Sequence, residues 1–381
     1  METPPAVSPV KLTRTKLLIF RAVAVTVVGV AGVFFAEAAL RWQQRRVGTS
    51  DRLEPGMVRY DAQLGWSLTP GWTGGHRHHD FSVSYHIDSE GFRREVPVDA
   101  GAPGGPITLV LGDSFTFGLG VNDDATFVHL LQAARVGGAR YVSNAVPGYS
   151  TDQESLLLEQ RMPVVRPARV LLVVYLGNDL FDNVLPFPLQ VSSAKPYAAV
   201  NAGRLEIRNV PVPQERKPRE ALDLLGAVWG PEPAQWPWRV RAEQHSELWR
   251  LLSQSVVPEP DHRESMRARY APALAAFDLL LERIAGQCAR HQIGLTVVTL
   301  AGQSYVKSPR SVSAQYQDVC REHVLATATK LGIGTIDVAT LMRERYSRES
   351  GDWFHPHDGH LTVAGHQVVA ALLEQTIPTG K

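Results

Sequence analysis

The stretch Ile107 to Gly118, ITLVLGDSFTFG, is a run of apolar and β-branched residues that breaks into Gly112, Asp113 and Ser114. An almost unbroken apolar run of strand length is what a strand buried on both faces needs. Such strands belong to parallel sheets covered by helices. In an open sheet of that kind the loops beyond the carboxyl ends of the strands form the ligand crevice, so Ser114 is placed to face a substrate. Gly112 permits a sharp turn, and Phe115 to Gly118 starts a loop or short helix whose free N–H groups point back at Ser114. The same triplet also fits a strand stop followed by a helix cap.

The following chain repeats the pattern. Asp123 or Asp124 caps a helix with an apolar face at Phe127, Leu130, Leu131 and Ala134, and Gly137-Gly138 ends it. A second strand, Tyr141 to Asn144, leads into NAVPGYST, where Thr151 and Glu154 form a capping box for a helix closed by Pro163 and Pro167. A third apolar run, Val170 to Asp179, ends in Gly177, Asn178 and Asp179. Further on, Pro272 opens a helix, Leu295 to Leu300 is a strand, a helix runs from about Gln315 to Leu331, and Gly334 to Val338 makes a fifth strand. Strands alternating with helices predict a doubly wound α/β fold, with Ser114, Gly148 and Asn178 gathered at one end of the sheet.

Four blocks now stand in order: Gly112-Asp113-Ser114, the Gly148 segment, Gly177-Asn178-Asp179, and Asp358-Gly359-His360-Leu361 near the C-terminus. Together they resemble the SGNH (GDSL-like) hydrolase superfamily, in its membrane-anchored bacterial form, over Ile107 to Asp179 and roughly Pro272 to the end. Similar Gly91-Phe92-Arg93 segments precede the serine block in such proteins. The resemblance implies a flavodoxin-like five-stranded parallel sheet, Ser114 as nucleophile, Gly148 and Asn178 as oxyanion-hole donors, and His360 with Asp358 as base and orienter. The chemistry fits those residue types. A serine hydroxyl needs a base to take its proton, and a tetrahedral intermediate needs donors aimed at its oxyanion. No metal or organic cofactor is required.

The histidine admits two readings, because Asp352-x-x-His355 can be written as a pair as well as Asp358-x-His360. In many relatives the acid stands three residues before the histidine, and here that position is His357. Thr362 as cap of the last helix places His360 in the short loop at its start, which favours Asp358 and His360 and leaves His355 as a rim residue. His360 also stands five residues before Gly365, the spacing seen in the superfamily.

A formal net charge of +1 without a dense Lys/Arg run in the globular part argues against a nucleic-acid partner. Cys288 and Cys320 fall on apolar helix faces and read as core thiols. His76, His78 and His79 lie in a Gly-rich segment without a second ligand group at a recognised spacing, so they read as solvated loop residues rather than a metal site. Arg93 reads as a surface salt-bridge residue, with an anion contact in the site as the alternative.

The division expected is an anchor or signal segment (1–46), an extension (47–106), the core in two parts (107–184 and 265–381) and an insertion between them (185–264). The basic tail with Lys11, Arg14 and Lys16 precedes an apolar run, Leu17 to Leu40, of membrane-spanning length. It predicts a single-pass anchor, or a signal peptide cleaved near Ala36-Glu37-Ala38; either exports the remainder to the periplasm or beyond. In the insertion, Arg204 to Val210 suggests a small strand. Trp229, Trp236 and Trp238 either line a substrate groove or pack the insertion. The activity expected is hydrolysis of O-acyl esters on a glycan, lipid or small molecule. The alternatives are an O-acyltransferase acting on an envelope glycan and a non-catalytic binding protein of the same fold.

Overall fold

A computed structural model describes residues 13–48, 50–93, 105–218, 232–256 and 259–377. Lys11 and Trp229 therefore lie outside the described residues. The chain opens with helix α1 (Arg14–Gly48). Two small antiparallel sheets follow, one joining Arg52–Leu53, Thr73–Arg77 and Ser82–His86, the other Val58–Asp61 and Gly65–Leu68. Strand β1 (Ile107–Leu111) then leads into α2 (Ser114–Phe117) and α3 (Phe127–Ala134), β2 (Arg140–Ser143) into α4 (Thr151–Val165), and β3 (Arg169–Tyr175) into α5 (Asp179–Asp182). The insertion supplies a hairpin, Tyr197–Asn201 with Arg204–Arg208, and helices α6 (Trp238–His245) and α7 (Glu247–Val256). Helix α8 (Arg263–Arg290) precedes β4 (Gly294–Leu300), α9 (Gln303–Lys307) and α10 (Val312–Lys330) precede β5 (Gly334–Ile336), and α11 (Val338–Arg348) and α12 (Val363–Thr376) close the chain.

The five core strands are all parallel, in the order β2-β1-β3-β4-β5. Val170 to Val174 of β3 are buried without a break, as a strand covered on both faces requires. The step from β1 to β2 runs opposite to the later ones. Right-handed crossovers therefore put α3 on one face and α4, α8 and α10 on the other. The packing agrees, with α4 and α10 against α8, and α3 and α11 against α12. The reversal of direction lies between β1 and β3, where an open sheet forms its binding crevice.

The chain separates into two compact units. The larger, Ser50–Gln235 with Pro258–Lys381, holds the sheets and their helices. The smaller joins Met1–Thr49 to Trp236–Val257, so that α6 and α7 are grouped with α1. By length and composition α1 is able to cross a membrane, and none of its most apolar stretch is buried.

Several local expectations change. Glu154 does not reach back to cap α4; Ser150 occupies the cap position and Glu154 turns into the core. Pro163 sits inside α4, which runs on for two residues to Val165. Helix α8 begins at Arg263 and carries Pro272 in its interior. Burial of Met266 and Tyr270, the Arg263 ion pair with Asp318 and the Gln315 side chain accepting the His262 N–H secure the extra turns. Thr126, preceded by a 3₁₀ turn at Asp123–Ala125, caps α3 by accepting the His129 N–H. Cys288 and Cys320 are buried free thiols.

Candidate active site

Ser114 is the first residue of α2, directly beyond β1. Asp113 caps that helix by accepting the Phe115 N–H at 2.9 Å, and Gly118 ends it in the left-handed region at φ 83°. A Cβ on Gly112 would lie 2.3 Å from Thr116 Oγ1, so only glycine permits so tight a turn between strand and helix. Ser114 is thereby held at the amino end of a helix, 8% exposed, with its hydroxyl facing the C-terminal loop.

His360 and Asp358 meet it there. His360 Nε2 lies 2.8 Å from Ser114 Oγ, and His360 Nδ1 lies 2.7 Å from Asp358 Oδ1. The same Asp358 oxygen accepts the His360 backbone N–H at 3.1 Å, which fixes ring and backbone together. Burial pushes the Asp358 carboxyl upward, but the hydrogen bond and charge of His360 outweigh it and hold Asp358 below the usual carboxylate range. The Phe115 ring stacks on Tyr175 at 3.9 Å and lies 4.6 Å from the His360 ring, so an aromatic platform supports the imidazole. Thr362 caps α12 by accepting the Gly365 N–H.

Gly148 and Asn178 follow β2 and β3. Gly148 has φ 80°, and a Cβ there would come within 2.5 Å of Val191 Cγ2. Asn178 is buried at the cap position of α5, its side-chain amide donating to Asp182 Oδ2 at 2.7 Å. Asp182 in turn accepts the Leu189 N–H at 2.9 Å, which ties the amide to the start of the insertion.

Asp352 and His355 are not brought together as a pair. The His355 ring turns to the Gly120 carbonyl at 3.2 Å and packs on Phe81, while the Asp352 carbonyl accepts the Thr362 hydroxyl. His355 is buried rather than on a rim, and burial lowers its pKa. Its backbone N–H bonds the His360 carbonyl at 2.8 Å, so it braces the loop.

Three features escaped the sequence. The first is Asp80, in the turn between Thr73–Arg77 and Ser82–His86. Its Oδ2 accepts the backbone N–H groups of His357 (2.8 Å) and Asp358 (3.0 Å), and its Oδ1 lies 2.7 Å from His357 Nδ1. The ligand-type atoms of His79, Asp80 and His357 fall within 4.8 Å of one another, yet both Asp80 oxygens are taken by these donors. Hydrogen bonding accounts for the cluster. Nor is His76 a solvated loop residue: it is buried on a strand between the Tyr85 hydroxyl (2.8 Å) and Asp51 (2.7 Å).

The second is Arg93, which is buried instead of forming a surface salt bridge. It pairs with Asp123 at 2.6 Å and donates to the carbonyls of Phe117 (2.5 Å), Gly118 (2.7 Å) and Val121 (2.6 Å). A guanidinium suits this task because its planar fork carries several donors at once. It pins the loop that leaves α2.

The third is a buried acidic layer near the serine, made of Asp113, Glu154 and Asp179. Burial raises all three, Asp113 to about 6 and the other two well above the ordinary range, with mutual repulsion adding to the shift at Glu154 and Asp179. Asp152, also buried, is paired with Lys195.

No curated protein matches the chain. Among solved structures, a catalytic variant of Axe2, an acetylxylan esterase from Geobacillus stearothermophilus, is 12% identical, with a TM-score of 0.41 over 74% of this chain and 98% of that one. LAE5, an alpha/beta hydrolase enzyme from the metagenome of Lake Arreo, Spain, is 14% identical, with a TM-score of 0.40 over 74% and 99%. TesA is 14% identical, with a TM-score of 0.38 over 71% and 97%. The profile of the GDSL-like Lipase/Acylhydrolase family matches residues 110–368, well over half of the chain. The protein belongs to that family, and is by that membership an enzyme of the esterase type.

Proposed function

We propose that the protein hydrolyses O-acyl esters through an acyl-enzyme on Ser114. The observation that carries this reading is the continuous chain from Ser114 Oγ through His360 to Asp358, at 2.8 Å and 2.7 Å, at the switch point of the sheet. In the first half-reaction Ser114 Oγ attacks the ester carbonyl while His360 Nε2 takes its proton. The tetrahedral intermediate then expels the alcohol, which leaves with that proton. In the second half-reaction water attacks the acyl-serine by the same route, releasing the carboxylic acid and restoring the serine. The Ser114 and Gly148 N–H groups and the Asn178 amide are the proposed oxyanion donors. Asp358 holds the imidazole tautomer and stabilises the imidazolium.

We place this activity outside the cytoplasm, tethered by α1. The support is an apolar helix of spanning length behind a basic tail. A reporter fused after residue 47 is expected to be active only outside the cytoplasm.

Labelling with a fluorophosphonate tests the mechanism. Covalent capture at Ser114, lost in Ser114→Ala, is expected; absence of labelling in the folded protein would leave a binding role for the fold. Product analysis with sugar acceptors present distinguishes hydrolysis from acyl transfer.

A further inference from the structure

Glu37 is the one carboxylate in the apolar run of α1, and its partners lie in the insertion. Its oxygens accept the backbone N–H groups of Glu247 (3.1 Å) and Leu248 (3.0 Å) and the Ser246 hydroxyl (2.9 Å). The first N–H groups of a helix have no acceptor within that helix, and a carboxylate is favoured there. Glu37 thus caps α7 from another helix. Arg41 donates to Glu37 (2.6 Å) and to the His245 carbonyl (2.8 Å), and Gln44 donates to Glu247 (2.6 Å). Positions 37, 41 and 44 form one stripe of α1, so the start of α7 is clamped along that stripe.

The clamp sits where the apolar run of α1 ends and Trp42, Arg45 and Arg46 begin, the residue types that mark a bilayer surface. The clamped segment has a matching character. Leu251 and Leu252 of α7 are 55% and 47% exposed, and Trp238 of α6, 66% exposed, meets Trp249 of α7 with ring centres 5.7 Å apart. Arg241 of α6 is exposed, and so is Arg250 of α7, which pairs with Glu247 at 2.6 Å. Apolar side chains left open among arginines, on a short helix tied to the end of a span, are the pattern of a helix lying in the headgroup region.

We propose that α6 and α7 form an interfacial foot whose partner is the anionic bilayer surface that α1 enters. Continuity with the unburied apolar surface of α1, the exposed Arg241 and the basic end of α1 at Arg45 and Arg46 select lipid over a second copy of the chain. The proposal rests on the reading of α1 as a retained membrane span. It also explains why a carboxylate is kept near the end of that span. Cleavage near Ala36-Glu37-Ala38 would detach or disturb the group that caps α7.

The test uses the full chain in vesicles of phosphatidylcholine and phosphatidylglycerol, with an environment-sensitive fluorophore on Leu251→Cys or Val28→Cys. The native thiols are buried, and the unsubstituted chain serves as the labelling blank. Lipids brominated near the headgroup should quench the label at 251 more than lipids brominated near the acyl terminus, and the order should reverse at 28. Glu37→Ala should lose most quenching at 251 while leaving 28 unchanged. A deeply quenched label at 28 beside an unquenched one at 251 would overturn the foot and leave the anchor standing. Absence of quenching at both positions would overturn the anchor, and the foot with it. Full quenching at 251 in Glu37→Ala would overturn the clamp.

Discussion

The Asp80 carboxylate accepts the backbone N–H of Asp358 at 3.0 Å, so the group proposed to orient His360 is itself held by a residue 278 positions earlier. Asp80→Ala should lower kcat by about tenfold, the worth of one charge-assisted hydrogen bond, with little change in KM. Asp80→Asn, which keeps one acceptor oxygen, should recover part of that loss. Equal kcat values for all three proteins would reduce Asp80 to a surface contact.

His360→Ala should lose ester turnover as severely as Ser114→Ala, on the order of 10⁴-fold or more, because members of one proton-transfer unit fail together. Asp358→Asn should fall between these variants and wild type. His355→Ala should keep most of the activity, since its ring faces the Gly120 carbonyl and not the serine. Steady-state kinetics on a short-chain ester decides the matter. A dead His355→Ala beside an active His360→Ala would transfer the role to Asp352 and His355.

Asn178→Ala should cost on the order of 10²- to 10³-fold in kcat, the usual loss for one oxyanion donor. Its amide is already oriented by Asp182 at 2.7 Å, so Asp182→Ala should show a smaller loss in the same direction. An unchanged kcat in Asn178→Ala would make that residue a turn former only.

Arg93→Ala should destabilise the fold by about 3–5 kcal/mol, since removing one partner of a buried pair leaves the other charge uncompensated. Arg93→Lys should recover little, because one ammonium cannot reach Asp123 and three carbonyls together. Urea denaturation measures both. A loss below about 1 kcal/mol in Arg93→Ala is what a solvent-exposed pair would give.

Glu154 yields a pH-dependent expectation. Both of its carboxyl oxygens are buried without a partner among the described residues, and burial raises its pKa well above 4.5. Above that value the folded state keeps a proton that the unfolded chain releases, so this group makes stability fall as pH rises. Glu154→Gln copies the neutral acid and removes the dependence. Its urea midpoint should sit near that of wild type at about pH 5 and above it at about pH 8. The same difference at both pH values would mean that the carboxyl does not titrate as argued.

What was legible in the chain was whatever depends on neighbours in sequence. The apolar runs at Ile107 and Val170 announce buried strands, and the blocks at Ser114, Asn178 and His360 sit just beyond strands or before a helix, as their local patterns say. Periodicity also placed Thr362 as a cap. The elements that escaped depend on contacts far apart in the chain. Arg93 reads as an ordinary surface arginine until Asp123 and the loop after α2 close over it. Asp80 follows two histidines and has no spacing relation to Asp358. Thr151 and Glu154 have the letters of a capping box, yet the buried layer around Asp113 and Asp179 takes the glutamate for the core.

Asp80 and Arg93 also bear on where this enzyme can be cut. Both precede the family-matched region, 110–368, and both hold parts of it in place. A fragment starting at β1 would retain Ser114, His360 and Asp358, but would leave Asp123 without its guanidinium and the C-terminal loop without its tether. The smallest transferable module therefore begins near Ser50. A chimaera joined at residues 94–104 would take Asp80 and Arg93 from one parent and their partners Asp358 and Asp123 from the other, so the joint belongs before Ser50.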